Sequence, residues 1–326
     1  IYRLILAYLL WSETEYKKFE EFQGIKVADI ITKLKKGTVP TKAFEHSIPD
    51  WLVETLEKEL GENWEKEMIA LNEQAPTILR ANSLKTSTKH LIEELKHENV
   101  ESFQVPGFEN AVQLEEKKNV FLTSAFKDGF FEVQDAGSQK IGEFLDVKPG
   151  MRVVDACAGA GGKTLHLAAL MENKGQIIAM DIHGWKLAEL KRRAKRAGAH
   201  NIETREITDN KVIKRLHEKA DRLLIDAPCS GLGVLKRNPD SKWKIDQDFI
   251  DRIRKEQETI LQDYSKIIRK GGKMVYATCS ILPSENNEQV ENFLKNNPDF
   301  KLVKEEKVMP STGFDGFYMA LLERKK

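Results

Sequence analysis

Two cysteines stand out by the residues around them. Cys229 lies in DAPCSGLG (226–233), directly after a proline and three residues beyond Asp226, and Cys279 lies in YATCS (276–280). Each follows an apolar run, RLLI for the first and Met274 with Val275 for the second, so each thiol falls just past an expected strand. A buried cysteine most often acts as a small hydrophobe. A metal pair would need a further ligand cluster, and His166 and His183 are too scattered to supply one. No metal is expected. Core filling and a reactive pair remain.

One chemical task fits two thiols beside a carboxylate. Carbon 5 of a cytosine is too weak a nucleophile to take a methyl group from a sulfonium donor. A thiolate that adds to carbon 6 breaks the ring's conjugation and makes carbon 5 enamine-like. A carboxylic group hydrogen-bonded to N3 offsets the charge that develops on the ring. A base then removes the carbon-5 proton and the thiolate leaves. One thiol is essential; a second beside it can assist that departure.

The segment VVDACAGAGGKT (153–164) follows an expected strand and opens a helix. Glycines let a ligand approach the backbone, and the helix N-terminus favours negative charge. A phosphate-binding P-loop needs glycine where Cys157 stands, and the dinucleotide pattern fits Gly159 and Gly161 but meets Thr164 in place of its third small residue. Asp181 ends the second strand, where a carboxylate can accept from both ribose hydroxyls. Asp209 follows the third strand, near where an adenine amino group could be read. Any one carboxylate here could be a plain turn residue or cap. Together these features suit a nucleoside cofactor, either a nicotinamide dinucleotide or S-adenosylmethionine, and the two cysteines favour the second.

These residues need a sheet whose strand ends share one edge. From Met151 onward the strand candidates MRVVDACA, QIIAMDI, NIETREI, RLLIDAP, KMVYATC and GFYMALLER alternate with helical stretches, among them DFIDRIRKEQETILQDYSKIIRKGG. Alternation of this kind predicts a mostly parallel α/β sheet covered on both faces, with ligands beyond the carboxyl ends of its strands. Upstream, TILRANS, a helix capped by Thr86 or Ser87, ESFQV and NAVQLE predict a small α+β domain. Before that, WLVETLEKELGENWEKEMIALN reads as helix. The expected divisions are a helical segment at 1–73, the α+β domain at 74–131 and the α/β domain at 132–326. The first residue is Ile1 rather than Met, so the helical segment can be the remnant of a longer unit.

The chain has 326 residues, 40% hydrophobic and 32% charged, with a net charge of +1. Bulk charge therefore does not mark a nucleic-acid binder, and clusters matter more than the sum. Three cysteines without CxxC spacing argue against a disulfide framework and for a reducing, cytoplasmic compartment. No apolar run approaches the ~18 residues of a membrane span, and no membrane partner is expected.

The motifs resemble those of the RNA cytosine-C5 methyltransferase family, the Nol1/Nop2/Sun group, and especially its bacterial ribosomal branch. DACAGAGGKT is similar to the family's cofactor loop, and DAPCSGLG and YATCSILPSENNEQVENFL to its two cysteine motifs. GVLKRNPDSKWK and FDGFYMALLER resemble later segments; LRANSLKTS and VQDAGSQ resemble the stretches before the catalytic core. The likeness runs from about Pro49 to the end. It implies a Rossmann-like class I methyltransferase domain with a seven-stranded sheet, preceded by an RNA-binding α+β domain. It also implies that Cys279 attacks carbon 6 and that Cys229 assists release, the reverse of the order in DNA cytosine methyltransferases. Asp226 would contact N3 and line the cofactor site, with Lys163 beside the catalytic pocket. Cys157, Ala158, Gly159, Ala160, Gly161, Gly162 and Lys163 would cradle the methionine part of S-adenosyl-L-methionine, Asp181 its ribose and Asp209 its adenine. Gly159 and Ala160 stand where the family usually has Ala-Pro, which predicts a slightly looser loop.

The expected partner is RNA, in particular small-subunit ribosomal RNA, met by a monomer. Lys186, Lys191, Arg192, Arg193, Lys195 and Arg196 crowd one helix, though such runs are usually solvated faces. Lys236, Arg237, Lys242, Trp243 and Lys244 mix cations with an aromatic that could stack on a base or serve as a packing anchor. Arg80 and Asn82 open the α+β domain and are expected to face RNA. The target base must leave its stack. Competing readings are a transfer RNA methyltransferase, a nicotinamide oxidoreductase, which leaves the cysteine pair unexplained, and a catalytically silent RNA-binding assembly factor.

Overall fold

The computed structural model of the protein describes residues 41–326 continuously and a few isolated positions before them. Most of the helical reading for 1–40 therefore lies outside the described residues. The chain divides into two compact units, 1–53 and 54–326. In the first, Thr41 caps a one-turn helix, Lys42–Glu45. The helix expected over 51–72 forms as α1 (Asp50–Leu60) and α2 (Trp64–Asn72), separated by a tight turn at Gly61–Asn63. Gly61 takes φ +57°, a left-handed conformation that breaks the run. Among the described residues no helix is long and apolar enough to cross a membrane.

The second unit holds two sheets. The smaller comprises β1 (Ile78–Ala81), β2 (Ser102–Gln104), β3 (Ala111–Leu114) and β4 (Phe131–Val133), antiparallel in the order β2-β3-β1-β4. Helix α3 (Thr88–His97), capped by the Ser87 hydroxyl, buries Leu91 and Leu95 against Leu79, Val112 and Phe131. The division expected between 131 and 132 falls inside β4, because Leu79 pairs with Val133. A three-residue strand is too short to show alternation in sequence.

The larger sheet has seven strands in the order β10-β11-β9-β8-β5-β6-β7. Its parallel part is β5 (Arg152–Asp155), β6 (Gln176–Asp181), β7 (Ile202–Glu206), β8 (Ala220–Asp226) and β9 (Ile268–Thr278). Strands β10 (Phe300–Val308) and β11 (Phe317–Arg324) add an antiparallel edge. Neighbouring residues point into opposite cores: Val153, Val275 and Met319 pack with Leu165 and Leu190 on one face, and Val154, Tyr276 and Tyr318 with Leu261 on the other. Burial on both faces explains the unbroken apolar runs. Helices α4 (Ala136–Phe144), α5 (Gly162–Leu170), α6 (Gly184–Ala197), α7 (Gln247–Tyr264) and α8 (Asn287–Asn296) complete the layers. The chain leaves β5 for β6 on one side and reaches β8 on the other, so a crevice opens at the carboxyl end of β5.

Two elements differ from expectation. The strand β10, FKLVKEEKV, is an edge strand with buried ends and an exposed charged middle, so it lacks a period-two signal. The helix expected through Gly272 stops at Tyr264, and Ile268 already pairs with Ala220 in β9. The next registered pair is Arg222 with Lys273, so Arg269 to Gly272 bulge from the ladder, with Gly271 at φ +73°.

Candidate active site at the carboxyl edge of the sheet

The loop after β5 is tied to both neighbouring strands through its backbone. Ala156 N donates to Leu224 O at 2.9 Å and Ala158 N to Met180 O at 2.8 Å. Gly161, at φ +89°, caps α5, and a Cβ there would lie 2.5 Å from Leu190 Cγ. Beneath the loop, Thr164 Oγ1 donates to Asp155 Oδ2 at 2.7 Å. Burial, together with negative charge on Asp226, raises the Asp155 carboxyl to about 7. Asp181 reaches in from β6: Oδ2 accepts from Gly159 N at 2.9 Å and Oδ1 from His183 N at 2.8 Å.

A cavity of about 260 Å³ opens over this loop, walled by Ile182, Ile207, Pro228 and Tyr264 and bearing the carboxylates of Asp181, Asp226 and Glu256 against one lysine, Lys186. Cys157 and Gly159 line it too. Burial, then Asp155 and Asp226, push the Cys157 thiol well above its ordinary value, so it stays neutral. Ala160 O accepts from Arg193 Nη1 at 2.8 Å, and Ala158 is buried. Asp209 does not join them. It is exposed, and its carboxylate caps a one-turn helix by accepting from Lys211 N at 2.7 Å. Ile207, at the end of β7, lines the cavity instead; the apolar walls carry no motif that a sequence reading could use.

The two thiols meet. Cys229 Sγ lies 3.3 Å from Cys279 Sγ and accepts from Cys279 N, also at 3.3 Å. The hydrogen bond with Cys279, burial and the charge of Glu285 hold the Cys229 thiol well above its ordinary value. Beside them Lys163 Nζ pairs with Asp226 Oδ2 at 2.7 Å. Burial disfavours the Lys163 charge, yet Asp226, with Cys279 and Asp155, outweighs it and raises the ammonium above the ordinary lysine value. The same ammonium sits 5.8 Å from the centroid of the Phe317 ring. One region thus holds a thiol pair, an ion pair and an aromatic face.

The residues assigned to RNA separate into two groups. Arg80 and Asn82 are 2% and 5% exposed, and the expected contact with RNA is corrected. Arg80 donates to Gln134 Oε1 and, at 2.7 Å, to Gly162 O; Asn82 Nδ2 donates to Gly129 O and Ala197 O, both at 2.8 Å. They fasten the small sheet to the helices α5 and α6. Arg193 and Arg196 do the same through Glu132 on β4. Arg237 is bound between Asp135 at 3.1 Å and Asp315. Burial, with Asp135 nearby, raises the Asp315 carboxyl to about 6. Lys242 is buried and donates to Asn72 Oδ1 at 3.1 Å. Lys236 donates to Pro310 O at 3.3 Å. Trp243 stays 59% exposed. Spacing in sequence cannot tell a cation that meets an internal carboxylate from one that meets solvent.

Comparison with known proteins gives this architecture its class. Residues 143–323 match the family model of the 16S rRNA methyltransferase RsmB/F, and residues 48–121 match the ferredoxin-like domain of RsmF/B-like methyltransferases. The chain belongs to this RsmB/F methyltransferase family. A probable ribosomal RNA small subunit methyltransferase B of Synechocystis sp. is 36% identical over 290 residues, which cover 88% of this chain and 63% of that protein. Its counterpart from Bacillus subtilis is 33% identical, covering 87% of this chain and 68% of that protein. The chain thus spans about two thirds of the length of these curated relatives. The crystal structure of PH0851 superposes with a TM-score of 0.84 at 29% identity, covering 99% of this chain and 76% of that one.

Proposed function

We propose that this chain methylates carbon 5 of a cytosine in small-subunit ribosomal RNA, using S-adenosylmethionine and a covalent adduct between Cys279 and the base. The cavity suits that cofactor. With Asp226 paired to Lys163, Asp181 and Glu256 still outnumber Lys186, and this acidic balance favours a sulfonium and an ammonium and opposes the pyrophosphate of a dinucleotide, while Ile182, Ile207 and Pro228 can flank a flat ring. When bound, S-adenosylmethionine supplies an electrophilic methyl group. Asp181, with backbone N–H groups already on both oxygens, is fixed to accept from ribose hydroxyls.

The chain's own residues carry the rest. The Cys279 thiolate forms a bond to carbon 6, and the electron pair of the 5,6 double bond becomes available at carbon 5. As the adduct forms, N3 takes up a proton relayed from the Lys163 ammonium through its partner Asp226, which then accepts a hydrogen bond from N3–H, and the proton returns when the adduct breaks. After methylation a base takes the carbon-5 proton, the double bond re-forms and the sulfur–carbon bond breaks. Cys229, kept as a neutral thiol, lies within hydrogen-bond reach of the departing sulfur. The contact between the two thiols is the observation that carries this reading.

The two thiols are separable by substitution. Cys279→Ala should abolish methyl transfer to transcribed small-subunit rRNA while leaving cofactor binding intact by titration calorimetry. Cys229→Ala should accumulate a protein–RNA adduct, seen as a shifted band on a denaturing gel. Full activity in Cys279→Ala sinks the mechanism, and an adduct in that variant alone exchanges the roles. Bisulfite sequencing that finds the methyl group in transfer RNA instead moves the substrate and leaves the chemistry standing.

A further inference from the structure

Both thiol loops converge on one buried side chain that the proposed mechanism does not use. Glu285 is 0% exposed, yet its carboxylate has no lysine or arginine partner among the described residues. It is solvated by neutral donors. Oε2 accepts from Ser230 N at 2.8 Å and Gln257 Nε2 at 3.0 Å; Oε1 accepts from Ser230 Oγ at 2.5 Å and Ser280 Oγ at 2.6 Å. Ser230 directly follows Cys229, and Ser280 directly follows Cys279. The turn that presents the carboxylate is itself fixed, since Tyr276 Oη donates to Glu285 O at 2.7 Å and Asn286 Nδ2 donates to Ser280 O at 3.0 Å. Burying a carboxylate is costly unless its oxygens are fully bonded. Here the bonds that satisfy it join two loops 50 residues apart in sequence.

We propose that Glu285 is a positioning residue for the reaction: it clamps the loop of Cys229 to the loop of Cys279 and so sets how the two thiols meet. The inference rests on the function proposed above. Glu285 touches neither thiol through these bonds and acts through the adjoining serines. Its charge has a second consequence, because it opposes thiolate formation at Cys229 and favours the neutral form. The residue thereby sets the distance between the thiols and helps to keep them chemically distinct.

The test compares Glu285→Ala with Glu285→Gln. The amide oxygen of glutamine keeps an acceptor for Ser230 N and Gln257, and its NH2 can donate to two serine hydroxyls that turn round to accept. Glutamine therefore keeps the clamp, and alanine removes it. With transcribed small-subunit rRNA, Glu285→Ala should lose ~100-fold in kcat, as expected for a misplaced reacting group, with the KM for S-adenosylmethionine unchanged. Glu285→Gln should recover most of that loss. A geometric readout needs no methyl transfer: diamide, which takes up the two thiol hydrogens, should link Cys229 to Cys279 quickly in the parent and in Glu285→Gln, and slowly in Glu285→Ala. Wild-type kcat in Glu285→Ala, or equal cross-linking rates in all three, overturns the proposal. If Glu285→Ala does not fold, Ser280→Ala cuts one tether and carries the same expectation at ~10-fold. A parent protein that methylates no RNA defeats the proposed function alone, while the cross-linking rates still decide the clamp.

Discussion

The loop after β5 and the loops after β8 and β9 lie side by side on one sheet edge, but they are held by different means. The first is held at its own backbone atoms, by strand backbone and by the side chains of Asp181, Arg193 and Arg80. Its N–H groups reach Leu224 O and Met180 O, and Gly161 makes its turn in a left-handed conformation. The thiol loops have backbone ties as well, Ala227 N to Ala277 O and Gly233 N to Cys279 O, both 2.9 Å. Their distinctive bonds, however, run through the side chains of Ser230, Ser280, Glu285 and Asn286. A backbone-held loop must spell its shape locally, in glycines. A side-chain-held loop distributes its shape over distant residues of ordinary type. The first suits a cradle for a ligand that must approach closely, the second a fixed geometry between two sulfur atoms.

Lys163 joins the regions, since it belongs to the helix after the first loop and pairs with Asp226 at the start of the second. If each region works alone, Lys163→Met should change little. If the ion pair couples them, methyl transfer should fall ~10–100-fold, the scale of a lost charge-assisted hydrogen bond of about 1.5–3 kcal/mol. Single-turnover kinetics with saturating cofactor would decide it. Cofactor affinity that falls by the same factor, with an unchanged turnover step, would place Lys163 in the cradle alone.

The same contrast explains what the sequence disclosed. The loop after β5 was legible because DACAGAGGKT is continuous, and the thiols were legible because each sits beside small residues at a strand end. The alternating rhythm from Met151 onward predicted the sheet, since strands buried on both faces must be apolar throughout. Glu285 was not legible: its meaning depends on Ser230, whose position follows only from folding. Arg80 and Asn82 misled for the converse reason. Polar residues that open a domain marked by resemblance as RNA-binding look available to RNA, but here Gly162 O and Ala197 O consume them. Asp209 caps its own helix and lies outside the cavity's lining.

A backbone-held loop should be intolerant where its glycine is. Gly161→Ala must either hold alanine at φ +89°, at ~1–2 kcal/mol, or shift the loop; its Cβ would also displace the buried Leu190, 2.5 Å away. The expected loss of stability is about 2–4 kcal/mol, including overpacking, read by urea denaturation. Gly159→Ala is the contrast. It shares the left-handed backbone, φ +54°, but a Cβ there meets nothing within 4 Å, so its cost should stay at the smaller, conformational part. Equal losses at the two positions would show that close packing against Leu190 does not hold this loop.

A pH-dependent effect separates the loop's backbone from the carboxylate beneath it. Asp155 is buried, with Thr164 Oγ1 on Oδ2 and the Cys157 backbone N–H beside the carboxyl. Burial raises its carboxyl from 3.8 to about 7; Asp226 adds to the rise, while Thr164 and Lys163 oppose it. The folded state therefore holds this proton more tightly than the unfolded chain does. The resulting stabilisation is fully present below the ordinary value of 3.8 and is lost as the pH rises through about 7. An asparagine at this position can still accept from Thr164 but does not titrate. Relative to the parent, Asp155→Asn should thus gain stability as the pH rises from ~4 to ~7 and level off above, measured as the difference in denaturation midpoint across that window. A flat difference would mean that the carboxylate is ionised throughout, and that the loop rests on a buried charge much as the thiol loops rest on Glu285.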